Sequence, residues 1–203
     1  VKKSCCGSDT IIRHAVDLFA EGGPDGVSMR DIARACELNV GSLYHHFADK
    51  ETLYLAAMQH AFTGKTRPLL ELLESERPPR HKLLDLVDLL CDQLADDATF
   101  RKLLQREILD GDQKRLEILA RTVFAPVTEK LLEVCKQAAP AVDSFLLIGS
   151  LFGMCLQHFQ FTPLRRHLPG YRKEHEQAAV ISTHVRQLVA CLLDTNDRRT
   201  NPK

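Results

Sequence analysis

The sequence has no tryptophan, only three tyrosines, and little of the valine–threonine alternation that half-buried strands require. That scarcity argues against a sheet-built fold. Leucine, alanine, glutamate, lysine and glutamine, all good helix formers, dominate instead. Net charge is also missing. The 27 basic residues are matched by 27 acidic ones, so no overall positive excess draws the chain to nucleic acid or to an anionic membrane. The first 52 residues are slightly acidic, with Lys2, Lys3, Arg13, Arg30, Arg34 and Lys50 set against Asp9, Asp17, Glu21, Asp25, Asp31, Glu37, Asp49 and Glu51. Any contact with DNA must therefore come from a local patch.

Chemistry-bearing spacings are absent too. Cys5, Cys6, Cys36, Cys91, Cys135, Cys155 and Cys191 include no C-x-x-C pair, which argues against a zinc ribbon or a thioredoxin-like site. Most of them fall in apolar helical patterns, where a thiol acts as a small hydrophobe, and a reducing cytoplasm suits them. H-E-x-x-H, G-x-S-x-G and a glycine-rich phosphate loop do not occur. His45 and His46 are adjacent rather than one turn apart, and His81, His158, His167, His175 and His184 fall in no ligand spacing. The chain thus reads as a non-enzyme with no metal and no cofactor. Residues 144–164 lack Asp, Glu, Lys and Arg, but Gln157, His158, Gln160, Thr162 and Pro163 interrupt the second half. A core or interface helix is expected there, not a membrane span. No signal peptide is expected before the first helix.

What is present is helical periodicity. With 203 residues, 44% hydrophobic and 27% charged, the chain can bury a sizeable core and stay soluble. Residues 1–8, with Lys2, Lys3, Cys5 and Cys6, read as an arm. About nine helices follow. The first covers 10–21, with Ile12, Ala15, Val16 and Phe19 on one face and Gly22-Gly23-Pro24 as its stop. The second follows Ser28, which forms a capping box with Asp31. Asn39 caps a third over 40–46, and Asp49 caps a fourth, with Gly64 and Pro68 as breaks or kinks. Further helices are predicted at 81–95, 99–109, 112–138 with a kink near Pro126, 142–161 and 173–193, with a loop at 163–170 and a frayed tail from Asp194.

The informative stretch is SMRDIARACELNVGSLYHHFADKETL, residues 28–53. Two short amphipathic helices joined by a tight turn form a helix-turn-helix, whose second helix enters a major groove. Its Ile32-Ala33, Gly41-Ser42-Leu43-Tyr44-His45-His46-Phe47 and Lys50-Glu51-Thr52-Leu53 resemble the DNA-binding signature of the TetR family over roughly residues 10–60. One position departs from that pattern: Glu37 stands where relatives usually have a turn glycine. The resemblance implies an all-α homodimer with a three-helix head over residues 8–62 (motif 28–47) and a ligand-binding and dimerisation domain over 63–195. It implies a double-stranded DNA operator and a small-molecule effector as partners, with no membrane.

Site residues follow. Asn39, Val40, Gly41, Ser42, Tyr44, His45 and His46 would form the reading helix, with Ser28, Arg30 and Lys50 as phosphate contacts. Leu43, Phe47, Ile32 and Phe19 are expected in the core. Helices 4 to 8 would enclose an effector pocket walled by Phe100, Leu104, Phe124, Leu131, Leu147, Leu151 and Met154, with Arg101, Gln105, Glu107 and His158 as polar anchors. Each of these is equally an ordinary core type at helical spacing. The last two long helices would pair with a second copy through Phe145, Ile148, Gly149, Phe152, Gly153, Ile181, Val185, Leu188 and Leu192. The competing reading is a helical protein-interaction module whose head no longer binds DNA.

Overall fold

The computed structural model describes the backbone of residues 7–200 and the side chains of 7–194. The expected arm (Lys2, Lys3, Cys5 and Cys6) lies outside the described residues. Eleven α-helices follow one another, and no strand occurs among the described residues. They are α1 (Ser8–Gly26), α2 (Met29–Ala35), α3 (Val40–His46), α4 (Lys50–Glu74), α5 (Pro79–Asp96), α6 (Ala98–Asp110), α7 (Gln113–Leu119), α8 (Ala125–Ala138), α9 (Ser144–Gln160), α10 (Thr162–Arg165) and α11 (Ala178–Thr200). A wide π-type turn at Ala120–Phe124 joins α7 to α8, and a 3-10 turn at Lys173–Glu176 precedes α11. The described part of the chain is all-α, with two compact units.

Unit one comprises residues up to Gly64 together with Thr99–Val123. It holds α1–α3, the first part of α4, then α6 and α7. Ile11, Ala15 and Phe19 of α1 are buried, four residues apart, whereas Ile12 and Val16 are only half-buried. The inward stripe of α1 thus lies one residue from the expected one. The break expected at Gly22-Gly23-Pro24 is present as a kink: Gly23 has φ 69°, which a side chain would strain, and Arg106 packs where a Cβ would stand. Ile32, Ala33, Leu43, Phe47, Leu53, Tyr54, Met58, Phe62, Phe100 and Leu103 fill the interior. Phe19 meets Tyr54 edge-on at 4.9 Å, and Phe62 meets Phe100 at 5.6 Å.

Beside these rings lies a buried polar cluster. Glu107 is 1% exposed. It accepts from the Tyr54 hydroxyl at 2.7 Å and from Arg115 Nε at 2.8 Å. Arg115 also reaches Asp112 at 3.2 Å and Asp110 at 3.5 Å, and its guanidinium lies 5.1 Å from the Tyr54 ring centre. Burial, and then the bond to Glu107, push the Tyr54 phenol far above its ordinary range, so it stays a neutral donor.

Unit two comprises Lys65–Ala98 and the residues from Phe124 onward. Helix α5 packs against α8, α9 and α11. Leu83, Leu86, Val87, Leu90 and Leu94 of α5 are buried, as are Val127, Leu131 and Val134 of α8, Leu147, Leu151 and Leu156 of α9, and Ile181, Val185, Val189 and Leu193 of α11. Polar ties add register: Asp88 accepts from Ser182 and Arg186, and Arg80 pairs with Asp194 at 2.6 Å. Burial alone pushes the Cys135 thiol up to about 11, which keeps it a hydrophobe rather than a nucleophile.

Several expected boundaries shift. Gly64 and Pro68 do not break α4, which runs through both. They lie four apart, so the carbonyl that Pro68 cannot bond belongs to Gly64. The expected loop at 163–170 begins with α10, and α11 starts at Ala178 and continues beyond Asp194.

Candidate nucleic-acid interface

The head is organised by three caps. The Ser28 hydroxyl accepts from Asp31 N at 3.2 Å while Asp31 Oδ2 accepts from Ser28 N at 3.0 Å. Asn39 Oδ1 accepts from Ser42 N at 2.7 Å at the start of α3. Asp49 Oδ1 accepts from Thr52 N at 2.7 Å at the start of α4. Between α2 and α3 the chain reverses through Glu37, whose φ is 55°. Glu37 N bonds Arg34 O at 3.1 Å and Leu38 N bonds Ala33 O at 2.8 Å. This is a Schellman termination, with glutamate at the position where glycine costs least.

These caps fix which side of α3 faces out. Leu43 is fully buried and Phe47 is 8% exposed, whereas Tyr44 is 50% exposed. Asn39, Gly41, His45 and His46 are exposed, and Val40 and Ser42 half-exposed. The structure therefore gathers all seven expected reading-helix residues on one short element. Gly41 has a structural reason of its own: a Cβ there would stand 3.3 Å from Asn39 Oδ1, the capping atom.

The flanking residues divide. Arg30 is exposed and makes no ion pair among the described residues. The Ser28 hydroxyl donates to Asp31 at 2.6 Å, and hydrogen bonds from Ser28 hold the Asp31 carboxyl below its usual range. His46 Nδ1 meets the Ser8 hydroxyl at 3.1 Å, tying α3 to the start of α1. Lys50 differs most from its expected role. Its ammonium donates to Pro24 O at 2.6 Å, and Asp49 and Glu51 flank it at the N-terminus of α4. A phosphate at that end would compete with a carbonyl and two carboxylates.

The residues expected around an effector fall in both units. Phe100, Arg101, Leu104 and Gln105 belong to unit one; Phe124, Leu131, Leu147, Leu151, Met154 and His158 belong to unit two. Phe100, Leu104, Leu131, Leu147 and Leu151 are buried as packing residues, and Glu107, expected as an anchor, is the buried partner of Arg115. Gln105 lines a cleft of about 450 Å³ with Ala20, Glu21, Lys102, Arg106, Leu109 and Asp110. A smaller cleft of about 230 Å³ is lined by Pro24, Asp25, Lys50, Glu51, Tyr54, Asp112 and Arg115. Both clefts are rich in charge.

The expected pairing surface splits between core and exterior. On α9, Phe145 is 68% exposed, Gly149 and Gly153 face open space, and Ile148 and Phe152 are half-buried. On α11, Leu188 and Leu192 are 48% and 38% exposed. Ile181 and Val185, expected beside them, are 3% and 0% exposed and belong to the interior of unit two. The periodicity holds two stripes a residue apart, and only packing tells which one faces in. Leu146, 68% exposed, and Val180, 38% exposed, lie on the outward side and were not expected there.

His158 is half-buried at the end of α9. Arg165 Nη1 donates to its Nδ1 at 3.1 Å and to its carbonyl at 3.2 Å, and the His184 ring stands edge-on at 5.9 Å. Burial first, then the charges of Arg165 and His184, pull the His158 imidazole below its ordinary value.

A capped short helix held by Leu43 and Phe47, with polar side chains outward, defines a helix-turn-helix DNA-binding protein. Comparison with known proteins agrees. Residues 11–57 match the family of bacterial regulatory proteins of the tetR type, and residues 79–195 match the C-terminal domain of the HTH-type transcriptional dual regulator CecR. The chain belongs to the TetR family of transcriptional regulators. It is 37% identical over 101 residues to the HTH-type transcriptional repressor Rv3405c of Mycobacterium tuberculosis, a match covering 50% of this chain and 46% of that protein. The chain thus spans about half the length of this curated relative. In fold it resembles the fatty acid degradation regulator FadR from Bacillus halodurans, with a TM-score of 0.70 and 21% identity over 93% of this chain and 96% of that one. It also resembles AibR, solved with isovaleryl coenzyme A and operator DNA, with a TM-score of 0.70 and 22% identity over 92% and 97%. No helix among the described residues is long and apolar enough to cross a membrane.

Proposed function

We propose that this regulator is a cytoplasmic repressor that binds a palindromic operator as a homodimer and releases it when a small hydrophobic effector binds. The observation that carries the reading is α3, with Leu43 and Phe47 inward and Asn39, Gly41, Ser42, Tyr44, His45 and His46 outward. In this reading residues 8–62 form the DNA-binding part and residues 63–195 the effector-binding and dimerising part. Ser42 and His45 read base edges, while Arg30, Tyr44 and the second-choice contacts Ser28 and Lys50 meet phosphates. Two copies joined through α9 and α11 present two reading helices to half-sites about 34–36 Å apart or multiples of that. AibR, of similar fold, was solved with isovaleryl coenzyme A, which supports a small-molecule effector for this chain. Effector and operator then weaken each other's binding by the same factor.

Selection of bound duplexes from a random pool tests this reading. A palindrome is expected, with affinity falling steeply as salt rises. Arg30→Ala should weaken all sequences alike and reduce the salt slope by about one. Ser42→Ala and His45→Ala should change which sequence is preferred. The rival reading, a protein-interaction module with a degenerate head, draws on the acidic balance of residues 1–52 and on the engaged Lys50 ammonium. Failure to retain any duplex in dilute buffer would decide for it.

A further inference from the structure

We propose that His158, held by Arg165 and faced by His184, makes association of two copies through α9 and α11 sensitive to protons, with dimers favoured while the His158 imidazole is neutral. The inference rests on the dimer reading above.

The outward faces of these helices suit a second copy because they are alike and uncharged. Helix α9 carries no Asp, Glu, Lys or Arg. Residues 178–193 of α11 carry only Arg186, which is turned to Asp85 and Asp88 of α5. Leu146, Gly149 and Gly153 on α9, and Val180, Leu188 and Leu192 on α11, are exposed. Such a surface meets no opposite charge in a polar partner, but it matches itself across a two-fold axis.

Into this apolar face the chain sets His184, exposed and one turn from both Val180 and Leu188. Its ring stands 5.9 Å from that of His158. Arg165 is always a donor, so its bond to His158 Nδ1 requires that nitrogen to accept, which leaves the proton of the neutral ring on Nε2. A second proton on His158 must therefore break that bond and place a cation beside Arg165. The groups acting on His158 are all basic: Arg165 of α10 and His184 of α11. Several carboxylates of α5 and of the turn before α11 are engaged elsewhere. Asp85 and Asp88 of α5 are held by Arg77, Ser182 and Arg186, and Glu176 by Arg166 and Tyr171. Among the described residues, neither imidazole is paired with a carboxylate that would stabilise an imidazolium when a second copy covers the face.

The sign follows from linkage. A separated copy, whose His158 is only half-buried, takes up a proton there more readily than a covered one, so falling pH favours separation. With His158 titrating in each copy, the dimer dissociation constant should rise at least severalfold between pH 7.5 and 5.5.

Sedimentation equilibrium of the whole chain at both pH values tests this, with circular dichroism to follow helix content. The expected result is a dimer at pH 7.5, a weaker dimer at pH 5.5 with helix content kept, and a His158→Gln chain that is equally tight at both. Wild-type dimers equally tight at both pH values would overturn the proton linkage and leave the dimer standing. So would helix loss at pH 5.5 in wild type and variants alike. A monomer at both pH values would instead remove the dimer reading and this inference with it.

Discussion

Glu107 is a carboxylate in an apolar interior, and its two partners set the cost of disturbing it. Removing the Tyr54 hydroxyl leaves Glu107 Oε2, now bonded at 2.7 Å, without a donor. Tyr54→Phe should therefore cost about 1.5–3 kcal/mol in denaturant unfolding, despite being the milder-looking change. Glu37 predicts the opposite direction. With φ at 55° it occupies the Schellman position that favours glycine, and Glu37→Gly should stabilise the chain by about 0.5–1 kcal/mol in the same measurement. The misfit at Glu37 could be read in the sequence, since a turn residue there must reverse the chain. The partners of Glu107 could not. Tyr54 and Arg115 lie 53 and 8 residues away, and no periodicity joins them.

Among the elements, α3 was the most legible and its caps explain why. Ser28, Asn39 and Asp49 are local signals, each bonding an amide three residues on, so their effect survives without knowledge of the fold. Asn39→Ala should cost about 0.5–2 kcal/mol and, in the proposed docking, weaken duplex binding, because the freed amide end would face the groove. Gly41→Ala should reproduce part of that loss by crowding Asn39 Oδ1, readable as a lower melting temperature and weaker operator retention. Less legible were the long C-terminal helices. The apolar residues of α11 include Ile181, Val185, Leu188 and Leu192, but Val189 and Leu193 replace the last two in the interior. A helix wet on one apolar side and dry on the other has no single stripe to find. Effector contacts were harder still, because an apolar wall and a packed core use the same residue types.

At the scale of the whole molecule, the open faces of α9 and α11 are where the proposed dimer would form, and with it the means to address two half-sites. Gly153 lies where an added Cβ would meet nothing within 4 Å. Gly153→Leu should therefore leave the separate copy folded, with unchanged helix content, yet raise the dimer dissociation constant at least tenfold in sedimentation and weaken palindrome binding in parallel. The division into two units has another outcome. Phe62 and Tyr54 share their unit with Phe100, Glu107 and Arg115, which lie beyond an intervening stretch of 34 residues, Lys65–Ala98. During synthesis the ribosome delivers α1 to α4 long before α6 and α7, so the DNA-reading end emerges with its aromatic side unfinished. A nascent chain of which only the first 98 residues had left the exit tunnel would present Phe62 and Tyr54 to chaperones, and the head would become protease-resistant only after residue 123 had cleared it.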